Sequence, residues 1–356
     1  MGTAAARALA ERGRDTLLLE RSTIGHDRGS SAGRTRIFRL AYHDPDYVRL
    51  AQRALDAWRE LESRAGERLL HPTGGVDAGA ASEVCAAAME SAGVPFERTT
   101  GRAIAERWPA LRFPPGETVL VQADAGVCLV KETIRCQARL AREAGATIAE
   151  RVAAASVRAT GFGVEVTTAT EESYRAPVAV LAAGAWNGPL LRQVGVDLSL
   201  LPTFEQPAHF RLAEPSALPT VVDRTSSAEM PRYAVPDPLD ARALKVGTHL
   251  GRVPVEPDDL PAAADADRLA DDVAYARERF PGAEATGEVD TCMYTMTPDE
   301  DFVLDRRGSV VVCSPCSGHG FKFAPLIGRI VADLVDARPV PFAIDRFVSS
   351  RASLSN

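Results

Sequence analysis

Between Cys292 and Phe323 the sequence crowds together side chains that can do chemistry. Cys292-Met293-Tyr294-Thr295 offers a thiol and a phenol, and Pro298-Asp299-Glu300-Asp301 follows as a carboxylate-rich turn. Downstream, Cys313-Ser314-Pro315-Cys316-Ser317-Gly318-His319-Gly320-Phe321-Lys322-Phe323 brackets a histidine with glycines and places a lysine three residues later. A deprotonated thiol is a nucleophile or a metal ligand, and glycine lets backbone approach a bound group closely. Cys313 and Cys316 form a C-x-x-C, a spacing used by redox and metal sites, but the second thiol pair of a zinc site is missing and no metal is expected.

Cations stand at two further places. Arg36 and Arg39, three apart in Thr35-Arg36-Ile37-Phe38-Arg39, would face one way on a helical turn and so suit an anionic ligand. A solvated basic turn would carry the same spacing. In Ala243 to His249, Leu244 and Val246 point to one side of a strand, while Lys245, Gly247 and His249 point to the other. An exposed strand face would look alike.

These groups need elements to position them. Gly2 to Arg12 reads as an alanine-rich helix ended by Gly13, and Asp15 to Glu20 as a buried strand ending in an acid. Helix then strand is the second half of a βαβ unit. Gly2 fits the third glycine of a G-x-G-x-x-G dinucleotide fingerprint and Glu20 its ribose-binding acid, while the first strand and first two glycines are expected to be missing from this N-terminus. Ile24 to Gly33 reads as a loop, residues 46–65 as an amphipathic helix, and Pro72 to Val130 as an excursion of short strands with one helix near Ala81 to Ala92. A helix over Val130 to Ala144 leads to strands at Thr147 to Glu150, Val152 to Val157 and Val164 to Thr167. Val178 to Trp186 reads as a buried strand running into Gly184, with Trp186-Asn187 opening a helix. Residues 200–290 alternate short strands with proline-rich turns, and Val310 to Val312 is a buried strand before a closing helix at Ala324 to Val335.

Composition bounds the function. A chain of 356 residues holds two domains more readily than one, and 46% hydrophobic with 25% charged residues is ordinary for a globular protein. A formal charge of -7 and a pI near 5.5 argue against nucleic-acid binding, which needs concentrated Lys and Arg. No apolar run approaches the roughly 20 residues that span a bilayer, so no membrane partner is expected. The N-terminus lacks a signal-peptide pattern, and six scattered cysteines make no disulfide framework. A reducing, cytoplasmic location is the expectation.

In order and spacing, five motifs together resemble the monomeric sarcosine oxidase and N-methyltryptophan oxidase family of FAD-dependent amine oxidases, within the D-amino-acid-oxidase-like superfamily. They are Thr35-Arg36-Ile37-Phe38-Arg39, Ala183-Gly184-Ala185-Trp186-Asn187, Leu244-Lys245-Val246-Gly247-Thr248-His249, Cys292-Met293-Tyr294-Thr295, and Ser317-Gly318-His319-Gly320-Phe321-Lys322-Phe323. The resemblance implies an α/β fold: a Rossmann-type FAD-binding domain from 1–70, 130–203 and 300–356, plus a mixed-sheet substrate domain from 71–129 and 204–299. It implies FAD tethered covalently through Cys292, with Gly2, Glu20, Arg36, Gly184, Trp186, Gly318, His319, Gly320 and Lys322 in the cofactor seat. Arg39 and Lys322 would hold the substrate carboxylate beside Tyr294. Arg36, Lys245, His249 and Tyr233 are the implied catalytic set, Lys245 as the oxygen-activating cation and Arg36 against the flavin ring. Cys313 and Cys316 would pack beside the flavin.

The implied reaction oxidises the C–N bond of sarcosine or another N-methyl or secondary amino acid to an imine, with oxygen reduced to hydrogen peroxide by a monomeric enzyme. Two alternatives stay open: a tailoring oxidase acting on a cyclic imino acid, or a truncated, non-catalytic relative that serves as a binding protein. Departures from the family pattern occur at Glu300-Asp301, where relatives often carry His, and at Glu205-Gln206-Pro207 in place of an arginine-containing turn.

Overall fold

Small side chains let the first helix sit deep. Gly2–Ala10 buries every residue from Thr3 to Ala10 and packs against helices Ala324–Val335 and Val130–Glu143. Its alanines lose little side-chain entropy on burial. This computed structural model describes residues 1–225, 231–249, 253–261, 263–340 and 344–351, so 352–356 at the end of the expected segment 300–356 lie outside it.

Two parallel strand pairs follow from this helical layer. Leu17–Glu20 pairs with Thr147–Glu150, and Ala179–Leu181 pairs with Val310–Ser314, which continues antiparallel to Val303–Arg307. Two expectations need correction here. The strand ending at Glu20 is not buried: Leu17 is 41% exposed, because among the described residues its one hydrogen-bonded neighbour is Thr147–Glu150 and its residues line a cavity. Val178 to Trp186 is not one buried strand either. Only Ala179–Leu181 is extended, and the chain then turns through a short 3₁₀ helix at Gly184–Trp186 into helix Asn187–Arg192. Val310–Ser314 is fully buried, as its apolar run demands.

An eight-stranded mixed sheet forms the other large layer. Its order is Ala283–Val289, Ala208–Leu212, Asp240–Thr248, Arg232–Asp237, Thr220–Asp223, Gly75–Ala78, Thr118–Gln122 and Glu97–Thr100. Thr220–Asp223 and Gly75–Ala78 run parallel, bringing together segments far apart in sequence. Helices Gly101–Arg107 and Ala266–Arg279 also belong to this half: the first is a second helix in the Pro72 to Val130 excursion, where one near Ala81 to Ala92 was expected, and the second stands where only short strands and turns were expected over 200–290. The second of these starts at Asp265, whose carboxylate accepts from the amides of Asp267 and Arg268.

Arg36 does not stand on a helical turn. Thr35–Phe38 is a strand, paired antiparallel with Gly126–Leu129, and β-branched and aromatic neighbours favour that extended form. Arg39 follows the strand end. Strand Leu201–Glu205 pairs with Cys292–Met296, which sets Cys292 opposite Glu205 and Tyr294 opposite Thr203. Among the described residues no helix is long and apolar enough to cross a membrane.

Candidate active site

A single cavity of about 1750 Å³ gathers every candidate site residue named from the sequence. Gly2, Glu20, Arg36, Arg39, Gly184 and Trp186 line it, and so do Tyr233, Lys245, His249, Cys292 and Tyr294. Gly318, His319, Gly320 and Lys322 complete the wall together with Cys313 and Cys316.

Lys322 enters this wall on the 3₁₀ turn Phe321–Phe323, which is locked by the core: the buried Trp58 indole donates to the Lys322 carbonyl at 2.7 Å. Its buried ammonium donates to the Tyr42 hydroxyl and to the His319 carbonyl, both at 3.0 Å. His319 Nε2 lies 3.0 Å from the Glu300 carbonyl, which can only accept, so Nε2 carries the proton and Nδ1 is an acceptor. Tyr42 then donates to Nδ1 at 3.2 Å. The directed chain is Lys322 to Tyr42 to His319 to Glu300. Burial, reinforced by Lys322, holds His319 well below the usual histidine range, so it is neutral as the chain requires. Burial and the nearby Arg39 likewise push Lys322 well below the usual lysine range. An arriving carboxylate would pull it back up.

Arg39 lies over the Tyr42 ring, 4.6 Å from its centroid, and donates to the Ala41 carbonyl. Buried Gln122 fixes this bend by accepting from the amides of Leu40 at 2.9 Å and Ala41 at 2.8 Å, while donating to Asp77 at 2.8 Å. Asp77 stands 3.8 Å from Arg39 and 2.7 Å from Arg224.

Lys245 comes from the middle of Asp240–Thr248 and is buried, its ammonium donating to the Thr35 carbonyl at 2.9 Å. Burial, then Arg36, lowers it to about 8. Arg36 donates to the carbonyls of Thr35, Ser30 and Ala32 at 2.9, 2.9 and 2.6 Å, which pins loop residues 30–32. His209, opposite Lys245 in the sheet, reaches Asp290 at 3.2 Å. Burial pushes the Cys292 thiol up, and the positive charges of Arg36 and Lys245 pull against that rise.

Tyr294 and His249 meet at 3.5 Å, Oη to Nδ1. Burial lowers His249 to about 3, with Arg39, Lys322 and Arg224 adding to the effect, so it is neutral at ordinary pH. Burial also raises Tyr233 and Tyr294, so both phenols keep their protons. The glycines around His319 serve the protein's own atoms. At Gly318 (φ +74°) an added Cβ would lie 2.3 Å from the Tyr294 ring, and at Gly320 it would lie 1.9 Å from the Pro315 carbonyl.

Glu20 stands at the end of its strand, accepting from the Ser22 amide at 2.7 Å with His26 at 3.4 Å. Burial pushes its carboxyl up, but those bonds bring it below the usual range. Trp186 donates to Asp258 at 3.2 Å and carries the Arg21 guanidinium over its ring. Cys313 is core, and Cys316 bonds Ser314 at 2.7 Å; neither forms a disulfide. The residues fit a bound flavin nucleotide. The cavity is large, and Arg36, Lys245 and Lys322 present positive charge whose hydrogen-bond partners in the protein are neutral oxygens.

Sequence reasoning missed Tyr42, Asp77, Gln122, Arg224 and Asp290. Tyr42 carried a signal, three residues past Arg39 in Arg39-Leu40-Ala41-Tyr42. Asp290 lies two residues before Cys292, while Asp77 and Gln122 on their strands and Arg224 just past Thr220–Asp223 are remote from the motifs in sequence and had none.

Comparison with known proteins agrees with this geometry. The FAD dependent oxidoreductase (DAO) family matches residues 1–334. Monomeric sarcosine oxidase of Bacillus sp. (strain B-0618) is 30% identical over 99% of this chain and 94% of its own. N-methyl-L-tryptophan oxidase of Salmonella heidelberg (strain SL476) is 30% identical over 99% of this chain and 96% of its own. Among solved structures, NikD, an unusual amino acid oxidase essential for nikkomycin biosynthesis, superposes with a TM-score of 0.88 at 28% identity, covering 97% of this chain and 94% of its own. The cavity, its cationic lining and these full-length likenesses lead to one assignment: the chain belongs to the FAD-dependent oxidoreductase family and is an oxidoreductase acting on amine donors.

Proposed function

We propose that this protein oxidises the C–N bond of a secondary amino acid such as sarcosine to an imine, with oxygen reduced to hydrogen peroxide. The observation that carries the reading is the convergence of Arg39, Lys245, Cys292 and Lys322, from four distant points of the chain, on one cavity. FAD, when bound, supplies the redox chemistry, taking a hydride equivalent from the substrate and passing the electrons to oxygen.

The chain's own residues bind, orient and tune. Arg39 and Lys322 hold the substrate carboxylate, one as a planar fork and the other as a point charge. Tyr42 keeps the Lys322 ammonium aimed from a fixed ring. Neutral His249 and protonated Tyr294 leave the amine free of a competing cation on their wall. Lys245 preplaces positive charge where oxygen gains its electron, the electrostatic logic of an oxyanion hole. Arg36 supplies a second charge beside it. Cys292 is the tether for FAD; its support is burial within the cavity wall beside both cations. In this reading 1–70, 130–203 and 300–356 carry the cofactor, and 71–129 and 204–299 frame the substrate.

A second reading, a tailoring oxidase of a biosynthetic pathway that acts on a cyclic imino acid, draws on the full-length structural likeness to NikD as an amino acid oxidase of a biosynthesis, with the cyclic substrate an expectation of the sequence. One experiment separates them: peroxide release by the FAD-loaded protein across sarcosine, longer N-methyl amino acids, proline and pipecolate. Turnover of the N-methyl compounds supports the first reading and selective turnover of cyclic ones the second. No peroxide from any of them refutes both.

A further inference from the structure

Arg224 is a cation of this cavity that neither the motifs nor the proposed reaction uses. The parallel register of Thr220–Asp223 against Gly75–Ala78 sets Val222 opposite Asp77, and the Arg224 amide donates to the Ala78 carbonyl at 2.9 Å. Gly79 allows this closeness. Its φ is +105°, and a Cβ there would lie 2.7 Å from the Arg224 backbone carbon. The side chain is thereby fixed, 17% exposed, with Nη1 at 2.7 Å from Asp77 Oδ1. Arg39 Nη1 approaches the same oxygen at 3.8 Å, so the two guanidinium nitrogens are separated by no more than the sum of those distances.

Charge counting makes Arg224 more than a partner for Asp77. Arg39, Arg224 and Lys322 all bear on His249, and within the Arg39–Arg224 pair the shared anion is the Asp77 carboxylate. One substrate carboxylate still leaves a surplus positive charge in a largely buried pocket, which is costly unless compensated. A second carboxylate on the same substrate removes the surplus. Since the guanidinium nitrogens share one oxygen, the two substrate carboxylates must be joined by a short chain.

We infer that Arg224 is a specificity-determining residue that receives a second carboxylate, so that the preferred substrate is a secondary amine carrying two carboxylates a short chain apart, as in an N-methyl acidic amino acid. The inference rests on the proposed seating of the first carboxylate at Arg39 and Lys322.

The test compares acetate with succinate as ligands of the FAD-loaded full chain, read by thermal shift and by perturbation of the flavin spectrum. It then compares kcat/KM for N-methylaspartate with that for N-methylalanine. A charge-assisted fork sets the expected preference for the dicarboxylate at about ten- to a hundredfold. Arg224→Met should erase it and Arg224→Lys should reduce it, while Asp77→Asn, which frees the Arg224 fork, should increase it. Equal affinity for both anions in the unaltered protein, or an intact preference in Arg224→Met, overturns the inference. Should Arg224→Met not fold, an unchanged preference in both Arg224→Lys and Asp77→Asn overturns it equally. If acetate binds and N-methylalanine is oxidised without any dicarboxylate preference, this inference alone falls. If no anion binds and no amino acid is oxidised, the proposed reaction falls with it.

Discussion

Tyr42→Phe isolates the chain of hydrogen bonds behind the proposed carboxylate site. The ring should stay in place, since it stacks on Tyr47 with centroids 5.2 Å apart and lies under Arg39. Only the hydroxyl is lost. It accepts from buried Lys322 at 3.0 Å and donates to His319 at 3.2 Å, so its removal leaves the ammonium with the His319 carbonyl as its one remaining hydrogen-bond partner among the described residues. A hydrogen bond to a charged group contributes about 1.5–3 kcal/mol. Losing it pushes Lys322, already lowered by burial, further toward the neutral form. Binding a carboxylate then requires proton uptake, so affinity should fall as pH rises. The expected outcome is a KM about ten- to a hundredfold higher with kcat changed much less, and a steeper rise of KM with pH than in the unaltered enzyme. Steady-state kinetics at several pH values, with acetate as a competitive probe, measures both. A KM within about twofold of the original at every pH would refute the role given to Tyr42 and Lys322.

Three further outcomes follow from the same geometry. Lys245→Met should slow reoxidation of the flavin by oxygen by about a hundred- to a thousandfold while changing its reduction by substrate far less, as separate stopped-flow half-reactions would reveal. Because burial lowers Lys245 to about 8, it is charged below that pH and neutral above it, so the oxygen step should weaken as pH rises through about 8 and lose that dependence in the Met variant. Cys292→Ser should release its yellow colour on acid precipitation whereas the unaltered protein keeps it in the pellet; colour in the supernatant of both would remove the tether assignment.

Much of the site was legible because its chemistry is local. Lys245 on one strand with His249 just past its end, Cys292 and Tyr294 two apart on another, and His319 with Lys322 on a turn each announce themselves by spacing. Their convergence on one cavity could not be read, since it depends on pairings such as Leu201–Glu205 with Cys292–Met296. Helix Ala266–Arg279 was hidden for a different reason. Its inward face carries Asp272 and Arg279, which pair with Arg232 at 2.6 Å and Asp223 at 2.7 Å, so the apolar periodicity that marks a helix is diluted by buried charge. Arg36 and Arg39 misled in the opposite sense: a three-residue spacing suits a helix, yet pairing with Gly126–Leu129 decides for a strand. Asp77 and Gln122 lie on neighbouring strands, where hydrogen bonds to Arg39's own bend depend on tertiary contact alone.

The most direct measurement is the colour of the flavin in the absence of oxygen. FAD-loaded protein mixed anaerobically with an N-methyl amino acid is expected to lose its yellow absorbance. The matched amine lacking a carboxylate should bleach it far more slowly, because Arg39 and Lys322 then have nothing to hold. Equal bleaching by both amines, or by neither, would contradict the account.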